Sequence, residues 1–274
     1  MIVITYGTYG LDSTSGITVN RATGLDTPPI RTSEDNITNR DGGNIYSQHW
    51  GMRQISFEGV VQGSDSADYF TKRNALVNAF NLDGKELSIA NWAGTVRTIN
   101  CKVVQAPIFK DETGRVTFTE FRVVLQAEIP FFLGSASTYS ATLASGGGTP
   151  IATAVPAALG ASSANRFTIT NDGGVDAYAG FTIDVTGIVT NATLTNLATS
   201  ESFTIATTIT AGDYVEVYRD SQGLHVLKNG TVDWFTFFEG DFFEIVQGNN
   251  TVVFTATSGD GIVEAEFSKP YLSI

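Results

Sequence analysis

Apolar and polar residues alternate through Arg53–Val61, where Ile55, Phe57, Gly59 and Val61 share one face; this period of two predicts a half-buried strand. Gly63-Ser64-Asp65 ends it and offers Asp65 or Ser66 as a helix cap. From Ala67 to about Asn81 the spacing lengthens. Phe70 and Val77 lie seven apart, as do Tyr69 and Leu76, and Phe80 follows Leu76 by four, predicting a helix with one apolar face. Asn81-Leu82-Asp83-Gly84 stops this helix, with Gly84 expected in a left-handed turn.

Strands follow over Glu86–Ala90, Val96–Gln105 and Arg115–Glu128, the last two joined by the Asp111-Glu112-Thr113-Gly114 turn into a long hairpin. In the third strand Val116 and Phe118 have one parity, while Phe121, Val123, Leu125, Ala127 and Ile129 have the other. A β-bulge or a change of sheet is therefore expected near Thr119–Glu120. The first ~45 residues, rich in Gly, Asp and Thr, read as short edge strands and loops.

Residues 134–164 hold Gly, Ala, Ser, Thr and Pro with almost no charge, including Ser145-Gly146-Gly147-Gly148. They read as a linker, with room for one strand. Short strands then recur about every ten residues, the pattern of a sandwich or jelly roll. They include Arg166–Asn171, Ala179–Thr186, Val232–Phe238, Phe242–Val246 and Val263–Phe267. Lys228-Asn229-Gly230 carries the signal of a type I′ hairpin. The fold class is mainly β. An N-terminal β-sandwich or split barrel (1–133) with one α-helix and a long β-hairpin precedes a C-terminal β-sandwich (165–274).

Charge narrows the partners. Only 16% of the 274 residues are charged, a surface easily buried against another chain. Residues 1–133 hold 12 Lys and Arg against 14 Asp and Glu, and residues 134–274 hold 4 against 14. The second half should repel nucleic acid and anionic lipid, and the first half has no basic cluster with aromatics, so sequence-specific nucleic-acid binding is not expected. No run reaches the ~18 apolar residues of a membrane span, so membrane insertion is not expected, and the N-terminus lacks a signal peptide's pattern. The lone Cys101 reads as a buried structural thiol.

Candidate chemistry is thin. His49 and His225 have no second ligand at short spacing, and Asp172-Gly173-Gly174-Val175-Asp176 lacks the spacing of a calcium loop. Neither a metal nor a cofactor is expected. Glu264 and Glu266 point to one side of a strand, where a solvated face explains them more simply than a glycosidase pair. No nucleophile elbow or P-loop is present. The aromatic group Trp234, Phe235, Phe237, Phe238, Phe242 and Phe243 is explained by core packing, with Trp234 and Tyr218 as the candidate platform for a sugar ligand.

Several short motifs occur in order: Tyr6-Gly7, Gly24-Leu25-Asp26-Thr27-Pro28-Pro29-Ile30, Asp41-Gly42-Gly43, Arg53-Gln54-Ile55, the helix with Arg73, Leu76 and Asn81, and Pro130-Phe131-Phe132. In this order they resemble the N-terminal domain of the distal tail protein family of long-tailed (siphovirus-type) bacteriophages. The Gly212-Asp213 turn, the Lys228-Asn229-Gly230 hairpin and Gly248-Asn249-Asn250 resemble that family's galectin-like or carbohydrate-module-like second domain. The resemblance implies a non-enzymatic virion protein at the tail tip, made in the host cytoplasm during assembly. It implies a hexameric ring joining the tail tube and tape measure protein to tail-tip hub, fibre or receptor-binding proteins. It places Arg53, Phe70, Arg73, Phe118 and Arg122 at subunit contacts, and it leaves a cell-surface glycan as a further partner. A tail tube protein and a carbohydrate-binding module are the alternatives.

Overall fold

The computed structural model describes residues 3–36, 41, 43–91, 93–110, 117–143 and 165–274. The expected 111–114 turn, Arg115, Val116 and the 144–164 part of the linker lie outside the described residues. Two compact units share the chain. The first comprises Met1–Ser135 with Tyr271–Ile274, and the second Ala136–Pro270.

In chain order the first unit contains β1 (Val3–Tyr6), β2 (Tyr9–Gly10), β3 (Ile17–Thr23), β4 (Ile30–Asn36), β5 (Gly43–Trp50) and β6 (Arg53–Gln62). Helix α1 (Ser66–Ala79), β7 (Lys85–Ala90), β8 (Val96–Lys110), β9 (Phe118–Ala127) and the start of β10 (Phe132–Leu143) follow. One sheet runs β3-β6-β9-β8; β8 continues into a second, β8-β7-β1-β2, so the long strand serves both layers of a split barrel. Tyr6, Phe57, Leu76, Phe80, Phe121 and Phe132 fill the core between them, each burial stabilising by about 1.5–3 kcal/mol. Tyr6 stacks on Phe80 at 4.8 Å and donates its hydroxyl to the Cys101 carbonyl at 3.1 Å.

Asp65 caps α1, accepting from Asp68 N–H at 2.9 Å, while the Asp68 carboxylate accepts from Ser64 N–H at 2.8 Å. This reciprocal box explains where the helix starts. The helix does not have the single apolar face expected. Tyr69 and Leu76 are buried, but Phe70 and Val77 form a second, exposed stripe. Nor does Gly84 take a left-handed conformation; it lies against Lys102, whose Cγ would be 3.2 Å from an added Cβ. Packing rather than a turn therefore explains this glycine.

The bulge expected at Thr119–Glu120 is absent. β9 runs in unbroken register with β6 from Gln62↔Phe118 to Arg53↔Ala127. The irregularities lie on the other arm, where β8 shifts register against β9 between Val103 and Ile108. Phe118 has the parity of Glu120 and Arg122, all exposed, so its mismatch with Phe121 marks an outward apolar residue.

The second unit stacks two antiparallel sheets. One comprises β11 (Arg166–Asn171), β19 (Gly248–Thr255), β13 (Val189–Asn196), β14 (Glu201–Ile209) and β18 (Phe238–Gly240) in that spatial order. The other comprises β17 (Val232–Asp233), β16 (Gly223–Lys228), β15 (Tyr214–Asp220), β12 (Gly180–Asp184), β20 (Gly261–Tyr271) and the later part of β10. Phe181, Phe203, Phe243, Phe254 and Phe267 pack between them. Asn229 and Gly230 both have positive φ, and Thr231 N–H returns to the Lys228 carbonyl at 3.2 Å, as the Asn-Gly signal predicts.

Two expected strands are corrected. Val232–Phe238 breaks after Asp233, because the Asp233 carboxylate takes Phe235 N–H at 2.9 Å and turns the backbone into a 3-10 helix over Phe235–Phe237. Phe242–Val246 makes only an isolated bridge, Ala177↔Ile245. Its backbone is satisfied instead by buried asparagines: Asn171 donates to Ile245 O at 2.9 Å, Asn196 to Glu244 O at 3.1 Å, and Asn250 accepts from Val246 N–H at 3.1 Å.

At Gly59, an added Cβ would lie 2.2 Å from the Thr18 carbonyl and 3.0 Å from Phe121. Gly59→Ala is expected to destabilise the protein by about 1–3 kcal/mol through overpacking, read from the shift of the denaturant midpoint at constant slope.

Candidate assembly surfaces

Arg53 opens β6 on the same parity as Ile55, Phe57 and Val61, so its side chain enters the core, where it is 1% exposed. Nε donates to the Pro130 carbonyl at 2.6 Å, Nη1 to the Gly24 carbonyl at 2.7 Å and also to Asp26, and Nη2 to the Leu272 carbonyl at 2.6 Å. The guanidinium stacks over Phe132 at 4.6 Å. Burial lowers its pKa from the ordinary value. The expected subunit-contact role is corrected: Arg53 is consumed by contacts inside its own chain. Nearby, burial pushes the Cys101 thiol up to about 12, which keeps it protonated and unreactive.

The other expected contact residues are divided between two surfaces. On α1, Phe70 is exposed, while Arg73 stacks over Phe109 of β8 at 4.4 Å. On the outer face of the β3-β6-β9-β8 sheet, Phe118 is exposed and Arg122 pairs with Glu58 across the strands at 3.6 Å. This face holds a groove of about 460 Å³ with Gly59 at its floor and Arg21, Glu58, Ile108, Glu120 and Arg122 around it.

Among the described residues the sheet is open at both ends. Among the described residues β3 pairs only with β6, and the Lys102–Lys110 part of β8 pairs only with β9. A second groove of about 380 Å³, lined by Ile4, Leu11, Ile17 and Val19, borders the β3 edge.

The short edge strands expected in the first ~45 residues include β4, which pairs with β5 as a ribbon that the sequence pattern does not predict. Its two strands pair along their length and, among the described residues, with no third strand. Ile30, Ile45 and Tyr46 are 58%, 61% and 66% exposed, so the ribbon lacks a core of its own and is marginal in isolation. The available signal is the β-favouring Ile45, Tyr46 and Trp50 after Gly43.

In the second unit the two residues of the expected ligand platform are each engaged by a neighbouring side chain. Lys228 Nζ lies 5.0 Å over the Trp234 ring, held there by Asp213 at 2.7 Å. Tyr218 stacks on His225 at 5.0 Å. Phe243 is core, whereas Phe235 and Phe237 are exposed. Glu264 and Glu266 face outward, alternating with buried Val263, Ala265 and Phe267. Asp172 pairs with Lys269 at 2.8 Å, and Asp176 accepts from Gln247 N–H at 2.9 Å, so the calcium-like turn spends its carboxylates on protein donors. Among the described residues no group of three or more His, Cys, Asp or Glu is placed to hold a metal ion.

In this mainly β protein the distinctive surfaces among the described residues are open sheet edges and a coreless ribbon, features suited to packing against other chains. Residues 172–271 match the family model described as siphovirus-type tail component, C-terminal domain. The whole chain has the fold of the SPP1 Dit (gp 19.1) crystal structure, with a TM-score of 0.71 and 14% identity over 98% of this chain and 99% of that one. It also matches chains of the phage P2 baseplate in its activated conformation, with Ca at a TM-score of 0.57 and 10% identity over the full length of both chains. With Sr the TM-score is 0.56 at 10% identity, over 100% of this chain and 99% of that one. No curated protein matches the sequence. The whole chain thus shares the fold of the SPP1 Dit protein and of phage baseplate chains, and its second half is similar to a siphovirus-type tail component.

Replacing Arg53 by Ala leaves several buried carbonyls without a donor and is expected to cost about 3–5 kcal/mol in urea unfolding. Arg53→Lys should recover less than half of the loss, because a point-like ammonium cannot span the same carbonyls. Asp213 gives a pH signature. The Lys228 ammonium, Thr210 hydroxyl and Asn229 amide hold its carboxyl well below the usual range. Its stabilising contribution is therefore complete above the unfolded value of about 3.9 and is lost as pH falls from there through the folded value. The Tm difference between the protein and Asp213→Asn should be constant above about pH 5 and shrink below about pH 4.

Proposed function

We propose that the chain forms a hexameric ring at the distal end of a phage tail, joining the tail tube to the tail-tip and host-recognition proteins. The observation that carries this reading is the β3-β6-β9-β8 sheet, open at both ends among the described residues. Two different free edges on one sheet invite head-to-tail pairing between identical copies, and such pairing closes into a ring when the rotation per copy divides the circle. The 460 Å³ groove beside Arg122 and the exposed Phe118 lie on the same sheet. The β4–β5 ribbon supplies an arm that needs a partner surface, and the Phe70–Val77 stripe supplies another apolar contact.

The neighbours in this reading are the tail tube protein and tape measure protein on one side, and hub, fibre or receptor-binding proteins on the other. The protein is made in the host cytoplasm, ends in the virion and carries no catalytic role. A sugar-binding role for the second unit lacks its platform, since Trp234 and Tyr218 are each engaged by a side chain of their own unit.

Light scattering of the purified protein, with negative-stain images of the same peak, should give six times the 29.2 kDa chain mass and closed six-fold rings. A monomer at every concentration, and also in the presence of purified tail tubes, is the result that removes the reading.

A further inference from the structure

We infer that Tyr271–Ile274 is a strap that completes the first unit, so that this unit reaches its final form only after the second has been synthesised. The chain order makes the dependence unavoidable: all of Ala136–Pro270 lies between Ser135 and the four residues that return to the first unit.

Two arginines hold the strap. Arg97, opposite Ile89 in the β7–β8 pair, stacks its guanidinium over the Tyr271 ring at 3.8 Å and donates from Nη1 to the Ser273 carbonyl. Arg53 donates from Nη2 to the Leu272 carbonyl at 2.6 Å. Tyr271 and Ile274 pack against the first unit's core. The strap therefore enters the same node that fixes the Gly24–Asp26 turn and Pro130. In its absence a buried guanidinium N–H loses its acceptor, and unpaired buried donors are among the costlier local defects.

The consequence is a checkpoint that acts through fold order. A chain whose second unit is unfinished has β6 and its neighbours in place, but the Arg53 node stays unsatisfied and part of the core stays uncovered. Subunit contacts made by the first unit are then delayed until the chain carries both units. The inference goes beyond the ring reading, and its readout, local protection inside one copy, does not depend on ring formation.

Hydrogen exchange of the full chain tests it in Tyr271→Ala and Arg97→Ala, with Tyr271→Phe and Arg97→Lys as conservative companions. The alanine variants should exchange at least about tenfold faster across residues 53–57 and 130–133 while residues 201–209 keep wild-type protection. Tyr271→Phe, which keeps the ring beneath Arg97, should match wild type. Arg97→Lys should fall between and supplies the reading where an alanine variant fails to fold. Wild-type exchange in the first unit of both alanine variants, or equal acceleration in both units of Arg97→Lys, overturns the inference.

Discussion

A guanidinium buried among backbone carbonyls is the constraint on which the first unit depends. Arg53 ties the Gly24–Asp26 turn, Pro130 and Leu272 to the head of β6, with Phe132 beneath it. None of its hydrogen-bond partners is a carboxylate side chain. The charge is accommodated by peptide dipoles, which fix direction as well as distance. Irregular segments are joined here by a side chain because, lacking strand geometry, they cannot be joined by a ladder. The same solution recurs in the second unit, where Asn171, Asn196 and Asn250 satisfy the stretch that fails to become a strand.

Much of the fold was legible where one physical signal dominated. The period of two in Ile55–Val61, the cap at Asp65 and the Asn229-Gly230 turn each rest on local chemistry that tertiary context does not override. The reading failed where two signals competed. Val232–Phe238 has the composition of a strand, but the Asp233 carboxylate captured a backbone N–H and won. Phe118 suggests a bulge only if an apolar side chain must face inward, and here it faces out. The family resemblance puts Arg53 at a subunit contact, although its odd parity with Ile55 and Phe57 already places it inside. Periodicity is the stronger signal at both positions.

The assembly surfaces were less legible than the core. Exposure of Ile30, Ile45 and Tyr46 depends on what lies beside the ribbon, which sequence alternation does not state. Open sheet edges are a property of topology, visible only once every strand has its neighbours. The aromatic group at 234–243 shows the converse problem: a run that suggests a binding platform is divided between core, a 3-10 turn and an occupied cation–π pair. What distinguishes a contact residue from a core residue here is geometry at the scale of the sheet.

Open edges also have a cost before any partner arrives. An unpaired strand is a template for indiscriminate β-stacking, and soluble proteins blunt such edges with charge and irregularity. This sheet carries both devices: β3 has a register break beside Arg21, and the free stretch of β8 runs from Lys102 to Lys110 with two register shifts of its own. A broken ladder disfavours any partner strand that lacks the matching offset. The features that make the two edges irregular thus act as gatekeepers, holding a newly made copy back from amyloid-like association while leaving it free to meet the one edge that fits.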